Sequence, residues 1–303
     1  MQKLIHWSEQ NFHHLPWRKN RSLYNTIVSE FMLQQTTVST VIPRFLSFIQ
    51  KFPNFLALHQ AKEEEVLHAW EGLGYYSRAK RLHQLSSFFL NKTTFTYEEL
   101  ILLPGIGPYT AQAILGIYFN QPVFAEDTNI KRIKERLQLN VFPVHYSGRL
   151  LNEALMDLGR VFCKKNIPLC SSCLLNKDCP SAYLIKENIP VKKKQEIHLL
   201  RFFFFNQENH LFLYQRPKNL WLENQFEVPT FTLEPNDQYP LFSDFFQESS
   251  LQYITYITKY KIINHIFEQK IQHEGSFYKK KDLLISSATK KGLILIQEKK
   301  KSK

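Results

Sequence analysis

The four cysteines of this 303-residue chain all fall in one short stretch, Cys163-x6-Cys170-x2-Cys173-x5-Cys179. A secreted disulfide protein spreads its cysteines to staple distant segments. A tight group instead folds one loop around a metal centre, with each thiolate a candidate ligand. Zinc and a [4Fe-4S] cluster both accept four thiolates, so ligand softness does not separate them. Common zinc modules place two close pairs symmetrically. Here one close pair, Cys170 and Cys173, lies between two longer intervals. Met1 to Gln10 contains no apolar leader core. The longest apolar runs, such as Phe202 to Phe205, fall far short of the ~20 residues needed to cross a bilayer. A protein of the reducing cytoplasm, with no membrane partner, is expected.

The length predicts about two domains of roughly 150 residues each. A content of 44% hydrophobic and 14% aromatic residues excludes a wholly disordered chain. The net charge is +12, with +7 from residues 1–186 and +5 from 187–303. A chain basic in both halves favours a polyanionic partner, nucleic acid first.

Residues 1–186 read as helical. Tyr24, Ile27, Val28, Phe31 and Met32 form an amphipathic stripe. Glu65 to Trp70 predicts a second helix ended by Gly72. Thr96 and Glu99 have capping-box spacing, opening a helix through Leu102. Further helices are predicted from Tyr109 to Phe119 and from Arg149 to Val161. Residues 187–197, with Pro190 and Lys192-Lys193-Lys194, read as a linker. Residues 198–298 read as a smaller α+β domain. Its strand candidates are His198 to Phe205, His210 to Gln215, Phe226 to Val228, Tyr260 to Phe267, Phe277 to Tyr278 and Leu293 to Ile296. Leu283 to Thr289 is a short-helix candidate, and residues 299–303 form a basic, frayed tail.

Leu103-Pro104-Gly105-Ile106-Gly107 breaks the helical run. Two glycines allow a tight turn, and the N–H groups opening the next helix can meet a phosphate. Taken alone, this is more often a plain helix–helix turn. An isolated Asp127 is ordinarily a helix cap or a solvated charge.

Together, the cysteine loop, the Pro-Gly-x-Gly hairpin and an Asp about 20 residues further on resemble the endonuclease III-like helix-hairpin-helix DNA glycosylases. Four more motifs resemble one branch, the adenine DNA glycosylases or MutY family. They are Leu15-Pro16-Trp17-Arg18, Ser29 to Thr36 (SEFMLQQT), Gly72 to Ala79 (GLGYYSRA) and Met156-Asp157-Leu158-Gly159. The resemblance covers nearly all of residues 10–185. It implies a multidomain chain: an all-α glycosylase domain with an iron–sulfur loop, then a Nudix-like lesion-reading domain. It also implies a [4Fe-4S] cluster on Cys163, Cys170, Cys173 and Cys179. The implied activity is adenine excision opposite 8-oxoguanine or guanine in double-stranded DNA, by a monomer.

The resemblance carries roles onto this chain. Glu30 is the implied acid, Asp127 the carboxylate beside the scissile sugar, and Asn129 and Tyr109 their neighbours. Trp17, Arg18 and Glu153 map to the adenine pocket. Gln35, Leu73 and Tyr75 map to contacts beside the opposite base. Gly105, Gly107, Lys164, Lys165 and Lys177 map to DNA phosphates. Bifunctional relatives attack the sugar with a lysine where this chain has Tyr109, and a phenol forms no Schiff base. Base excision without efficient strand cleavage is therefore expected, with Lys131 a candidate for adventitious trapping. At 100° per residue Glu30 falls on the flank of its helix stripe, a boundary position where partial desolvation favours a protonated acid.

Three departures stand out. Asp127-Thr128-Asn129 replaces the family's D-G-N, and a β-branched residue disfavours positive φ. Leu222-Glu223 replaces two family glycines. Phe267-Glu268-Gln269 takes the place of the lesion-reading F-S-H, so Glu268 is expected to weaken discrimination of oxoguanine from guanine. The Nudix-box carboxylates are missing, so pyrophosphatase activity is not expected. Two other readings remain at this point: a thymine mismatch glycosylase, and a non-catalytic DNA-binding or zinc-adaptor protein.

Overall fold

A computed structural model describes residues 1–184, 195–234, 236–241, 243, 249, 251–257, 260–271, 277–278 (backbone only) and 283–301. The chain divides into two compact units, Met1–Ile189 and Pro190–Lys303. The expected linker falls largely on residues 187–194, outside the described residues. Residues 195–197 already belong to a strand.

The first unit is helical: α1 (Gln2–Phe12), α2 (Pro16–Lys19), α3 (Leu23–Leu33), α4 (Val38–Lys51), α5 (Phe55–Gln60), α6 (Glu63–Ala69), α7 (Ser77–Leu85), α8 (Tyr97–Ile101), α9 (Pro108–Ala113), α10 (Thr128–Leu137) and α11 (Gly148–Val161). The capping signals act where expected. Thr96 accepts from Glu99 N–H, and the Glu99 carboxylate accepts from Thr96 N–H, fixing the start of α8. α9 passes into a π-helical turn over Ile114–Tyr118, shorter and less regular than the single helix expected to Phe119. Such turns concentrate near functional sites.

α3 is more deeply buried than its periodicity indicates. Nine of its eleven residues are buried, Ser29 and Glu30 among them. Other helices surround it, so the polar flank expected at Glu30 faces protein rather than water. One core cluster joins Leu4 and Ile5 of α1 to Ile130 and Ile133 of α10 and Leu151 and Leu155 of α11. Another region packs Phe48 edge-on to Trp70, both fully buried.

The second unit is a mixed sheet with one long helix. Its strands are β1 (Gln195–Phe205), β2 (Leu211–Phe212), β3 (Tyr214–Gln215), β4 (Phe226–Glu227), β5 (Thr230–Thr232), β6 (Gln252–Ile257), β7 (Tyr260–Lys270) and β8 (Phe277–Tyr278). β1 is central. It pairs in parallel with β7 over its whole length, from Gln195 opposite Tyr260 to Phe205 opposite Lys270. Antiparallel partners are β2 and β5, while β6 pairs with β7 and β8 with β2. The nearly continuous apolar run in β1 suits a strand flanked on both edges.

Three expectations are corrected here. Leu293–Ile296 is not a strand, Leu283–Thr289 is not a short helix of its own, since only Ser287–Thr289 are helical, as the start of a longer helix, and residues 299–301 are not frayed. A single helix, α12 (Ser287–Lys301), takes in Leu293–Ile296 and Lys299–Lys301; residues 302–303 lie outside the described residues. Its buried positions, Ala288, Thr289, Gly292, Leu293 and Ile296, follow helical spacing. The short apolar run at 293–296 fits either period when read alone. β5 and β6 were missed, because the polar and aromatic alternation of QYITYI is brief.

Beneath the sheet lies a fully buried ion pair. Arg201 donates to Glu227 at 2.8 Å and to Asn264 at 2.7 Å, and Ser286 donates to the same Glu227 oxygen. Removing one partner of a buried pair leaves the other charge uncompensated. Glu227→Ala is therefore expected to destabilise this unit by about 3–5 kcal/mol, read as a lowered melting transition.

Candidate active site

A cleft of about 1010 Å³ is lined by α2 and α3, by the turn entering α10, and by α11. Glu30, Tyr109, Asp127, Asn129, Trp17, Arg18, Glu153 and Gln35 all line it. Five stretches of sequence thus converge on one cleft.

Glu30 is only 6% exposed. Tyr109 donates its hydroxyl proton to Glu30 Oε2 at 2.5 Å. Burial pushes the Glu30 carboxyl up to about 7; the Tyr109 hydrogen bond opposes this, the Asp127 and Glu153 charges add to it, and Arg18 opposes it. The Tyr109 phenol is itself held well above its ordinary range by burial and by Glu30, so it remains the donor.

Asp127 caps α10. Its Oδ1 accepts from the backbone N–H of Asn129 (2.9 Å) and Ile130 (2.7 Å). Its Oδ2 accepts from the Asn129 side-chain amide at 2.8 Å. Arg132 fixes that amide by donating to Asn129 Oδ1, and donates also to the Cys163 carbonyl. Thr128 is the first residue of α10 and is not among the residues of positive φ. The turn needs no left-handed backbone, so the β-branched Thr128 fits it as it stands.

The adenine-pocket candidates form a charged floor. Arg18 donates to Asp157 Oδ2 at 2.8 Å and lies 3.7 Å from a Glu153 oxygen. Ser8 of α1 donates to the same Asp157 oxygen at 2.6 Å. Arg21 meets both Glu153 oxygens, at 2.5 and 3.0 Å. Trp17 is held edge-on by Phe45. Sequence reasoning missed Arg21 and Ser8, and gave Asp157 no role beyond its motif. No local spacing links them, since the partners lie 132 to 149 residues apart.

Gln35 and Tyr75 both adopt left-handed backbone, with φ of 55° and 48°. Such strain persists only where the surroundings impose it, and Arg78 does so. Its guanidinium donates to the carbonyls of Phe31, Met32 and Gln34 at the end of α3, and to those of Leu73 and Gly74. It also stacks over Trp70 and Tyr75. Tyr75 is 46% exposed and available to a ligand, whereas Leu73 is 5% exposed and packs inward.

The hairpin joins α8 to α9. Gly105, at φ +83°, needs the left-handed region, and the Arg81 stem fills the space a Cβ would take. Gly107 does not; it is the N-cap of α9 at φ −96°, with open space where its side chain would be. Lys164, Lys165 and Lys177 are exposed.

None of the four cysteines is in a disulfide, and all line one cavity with Leu158, Phe162 and Leu175. Arg136 donates to Cys163 Sγ at 3.2 Å. Among the described residues, no group of three or more His, Cys, Asp or Glu side chains is drawn tightly enough to hold a metal ion. Phe267, Glu268 and Gln269 lie inside β7, opposite Phe202, Phe203 and Phe204. Phe267 stacks on Phe202, and the Glu268 carboxylate pairs with Lys300 of α12. The expected lesion reader is therefore a strand segment with its carboxylate already partnered.

A helical fold with a hairpin, a buried acid and a capping carboxylate in one cleft defines the helix-hairpin-helix glycosylase class. The family model for HhH-GPD superfamily base excision DNA repair proteins matches residues 28–141. A solved thermostable thymine-DNA glycosylase shares the fold, with a TM-score of 0.52 at 22% identity over 59% of this chain and 93% of that one. The adenine DNA glycosylase of Buchnera aphidicola subsp. Baizongia pistaciae is 32% identical over 90% of this chain and 82% of its own length. That of the Schizaphis graminum subspecies is 34% identical over 76% and 74%. The chain belongs to the adenine DNA glycosylase family.

Two predictions follow from this geometry. Arg78→Lys keeps the charge but loses the planar fork that serves five carbonyls. It is expected to destabilise the first unit by about 3 kcal/mol, measured by denaturant unfolding. Glu30 is protonated more readily folded than unfolded, so its burial costs nothing below its ordinary value of 4.5. The cost grows as pH rises, and is complete above about 7. Glu30→Gln is therefore expected to melt above wild type at pH ~8 and level with it below pH ~4.5.

Proposed function

We propose that the chain is a monofunctional adenine DNA glycosylase of base excision repair, acting on A:8-oxoG and A:G mispairs in duplex DNA. The observation that carries this reading is Glu30: a buried carboxyl, protonated to about pH 7, in a cleft shared with a second carboxylate. Adenine leaves poorly as an anion, and protonation at N7 makes it a good leaving group. A flipped adenine enters the cleft at a cost of a few kcal/mol. With Tyr109 donating to Oε2, Oε1 of Glu30 carries the acid proton to N7. The sugar becomes oxocarbenium-like as the bond breaks. Asp127, oriented by its cap hydrogen bonds and by Asn129, stabilises that charge. Water then adds at C1′ and gives up a proton to the Glu30 carboxylate, which restores the acid. Tyr109 offers no amine, so the abasic strand stays intact until alkali is added.

Four thiols around an apolar cavity fit a [4Fe-4S] cluster held by Cys163, Cys170, Cys173 and Cys179. When bound, the cluster fixes the loop that presents Lys164, Lys165 and Lys177 to phosphates. The hairpin at Gly105 and Gly107 adds backbone N–H groups to the same contact. The second unit is read as a Nudix-like domain that checks the opposite base. The pairing of Glu268 with Lys300 supports a weakened preference for oxoguanine over guanine.

The test is single-turnover excision on duplexes carrying A:8-oxoG, A:G and T:G, with and without alkali. Alkali-dependent cleavage at adenine is expected, falling as pH rises through about 7. Glu30→Gln and Asp127→Asn are each expected to lower it by more than ~100-fold while retaining DNA binding. Release of thymine but not adenine overturns the reading, as does full activity of Glu30→Gln. A brown as-isolated protein is expected for the cluster, and a colourless one with bound zinc would overturn that part alone.

A further inference from the structure

The chain has eleven arginines, and nine of them commit their guanidinium to hydrogen bonds within the fold. Arg44 of α4 and Arg81 of α7 are the other two. Both are exposed, and among the described residues neither side chain makes a hydrogen bond or an ion pair. Each is nevertheless packed in place. Gly72 and Gly105 have φ of +87° and +83°, and an arginine lies against each of them. A Cβ on Gly72 would stand 2.7 Å from Nη2 and 3.0 Å from Nε of Arg44. One on Gly105 would stand 2.9 Å from Cβ and 3.0 Å from Cδ of Arg81. Gly74 is left-handed too, at +67°, yet has open space at that point. An arginine cover is therefore particular to the first two glycines and does not come with the backbone conformation.

We propose that Arg44 and Arg81 are contacts to the DNA backbone, each held ready for a phosphate by the loop glycine it rests on. The inference rests on the reading of this chain as a glycosylase of duplex DNA, and deepens it. In that reading the loop from Gly72 to Tyr75 stands beside the opposite base, and the Gly105 hairpin meets phosphates. α7 joins the two loops. It starts at Ser77, just after Tyr75, and Arg81 lies four residues on, ~6 Å along its axis. A guanidinium offers a phosphate two parallel N–H donors and stays charged at neutral pH. Neither arginine has an ion pair to give up before it binds. A side chain already packed against a loop also loses less freedom on binding than a free one. Backbone contacts position a duplex without carrying sequence information, so both arginines serve every opposite base alike.

The test is the salt dependence of DNA binding by the full-length protein, measured by fluorescence anisotropy between about 50 and 200 mM salt. One duplex carries a tetrahydrofuran abasic analogue opposite guanine, and a second is fully paired. The logarithm of the wild-type binding constant falls linearly with the logarithm of salt concentration. Arg44→Gln and Arg81→Gln are each expected to reduce that slope by about 1, and the double variant by about 2, on both duplexes. Arg44→Lys and Arg81→Lys keep a cation in reach of the phosphate and are expected to keep most of the slope. An unchanged slope in either Gln variant overturns the proposal for that residue, even where its melting temperature falls, since packing alone then accounts for it. A loss confined to one duplex overturns it as well, because a backbone contact does not distinguish them. If a Gln variant does not fold, Arg44→Met or Arg81→Met, which keeps an apolar stem over the glycine, decides by the same slope. A wild-type protein that binds neither duplex overturns this proposal and the glycosylase reading together. Binding with the expected slopes but without adenine release supports the phosphate contacts and overturns the glycosylase reading alone.

Discussion

The guanidinium of Arg78 is the contact on which the catalytic unit turns. α3 ends with carbonyls that have no partner within the helix, and the loop from Gly72 to Tyr75 turns too sharply to satisfy its own. Arg78 answers both with one planar group, donating to carbonyls of Phe31, Met32, Gln34, Leu73 and Gly74. A cation at a helix C-terminus is also favourably placed against the helix dipole. The charge is expensive to bury: desolvation pulls Arg78 down to about 10, still well above neutral pH. The cost is offset by five carbonyls and two aromatic faces. Through this group the helix that carries Glu30 and the loop that carries Tyr75 keep one geometry. It also explains how Gln35 and Tyr75 persist in left-handed backbone without being glycine.

The cleft concentrates charge in a way that local structure alone does not favour. Glu30, Asp127 and Glu153 share it, and each is treated differently. Asp127 is tied to backbone and amide N–H groups at the start of α10. Glu153 is tied to Arg21. Glu30 is buried with a phenol on one oxygen, and so is the one pushed toward protonation. A carboxyl that burial pushes toward protonation is what a general acid requires. The division of labour lies in partners and burial, since the side-chain chemistry is nearly identical.

Much of this was legible in the sequence, for identifiable reasons. Caps act within four residues, so Thr96 and Glu99 announced α8, and the hairpin announced itself through Gly105. The motifs carried Glu30, Tyr109 and Asp127 to one place. What stayed hidden depends on partners distant in sequence. The stripe put Glu30 on a flank, and only the packing of other helices against α3 buries it. Arg21 has no signal of its own, because its partner Glu153 is 132 residues away. In the second unit, Leu293–Ile296 looked like a strand. Four apolar residues fit either period, and it took Gly292 against Phe203 to show a helix lying on the sheet.

The second unit departs most from what the resemblance implied, and the departure has a physical form. A residue that reads a base must offer hydrogen-bonding atoms with no stronger partner. Phe267 is stacked within the sheet, and Glu268 is held by Lys300 at the far end of α12. To meet a base, Glu268 must first give up an ion pair, and what it gains is an anion among phosphates. The same strand buries Asn264 and His265 completely, with Asn264 serving Arg201. Asn264 and His265 are thus committed to the fold of this unit, whereas Glu268, Gln269 and Lys270 at the end of β7 are exposed.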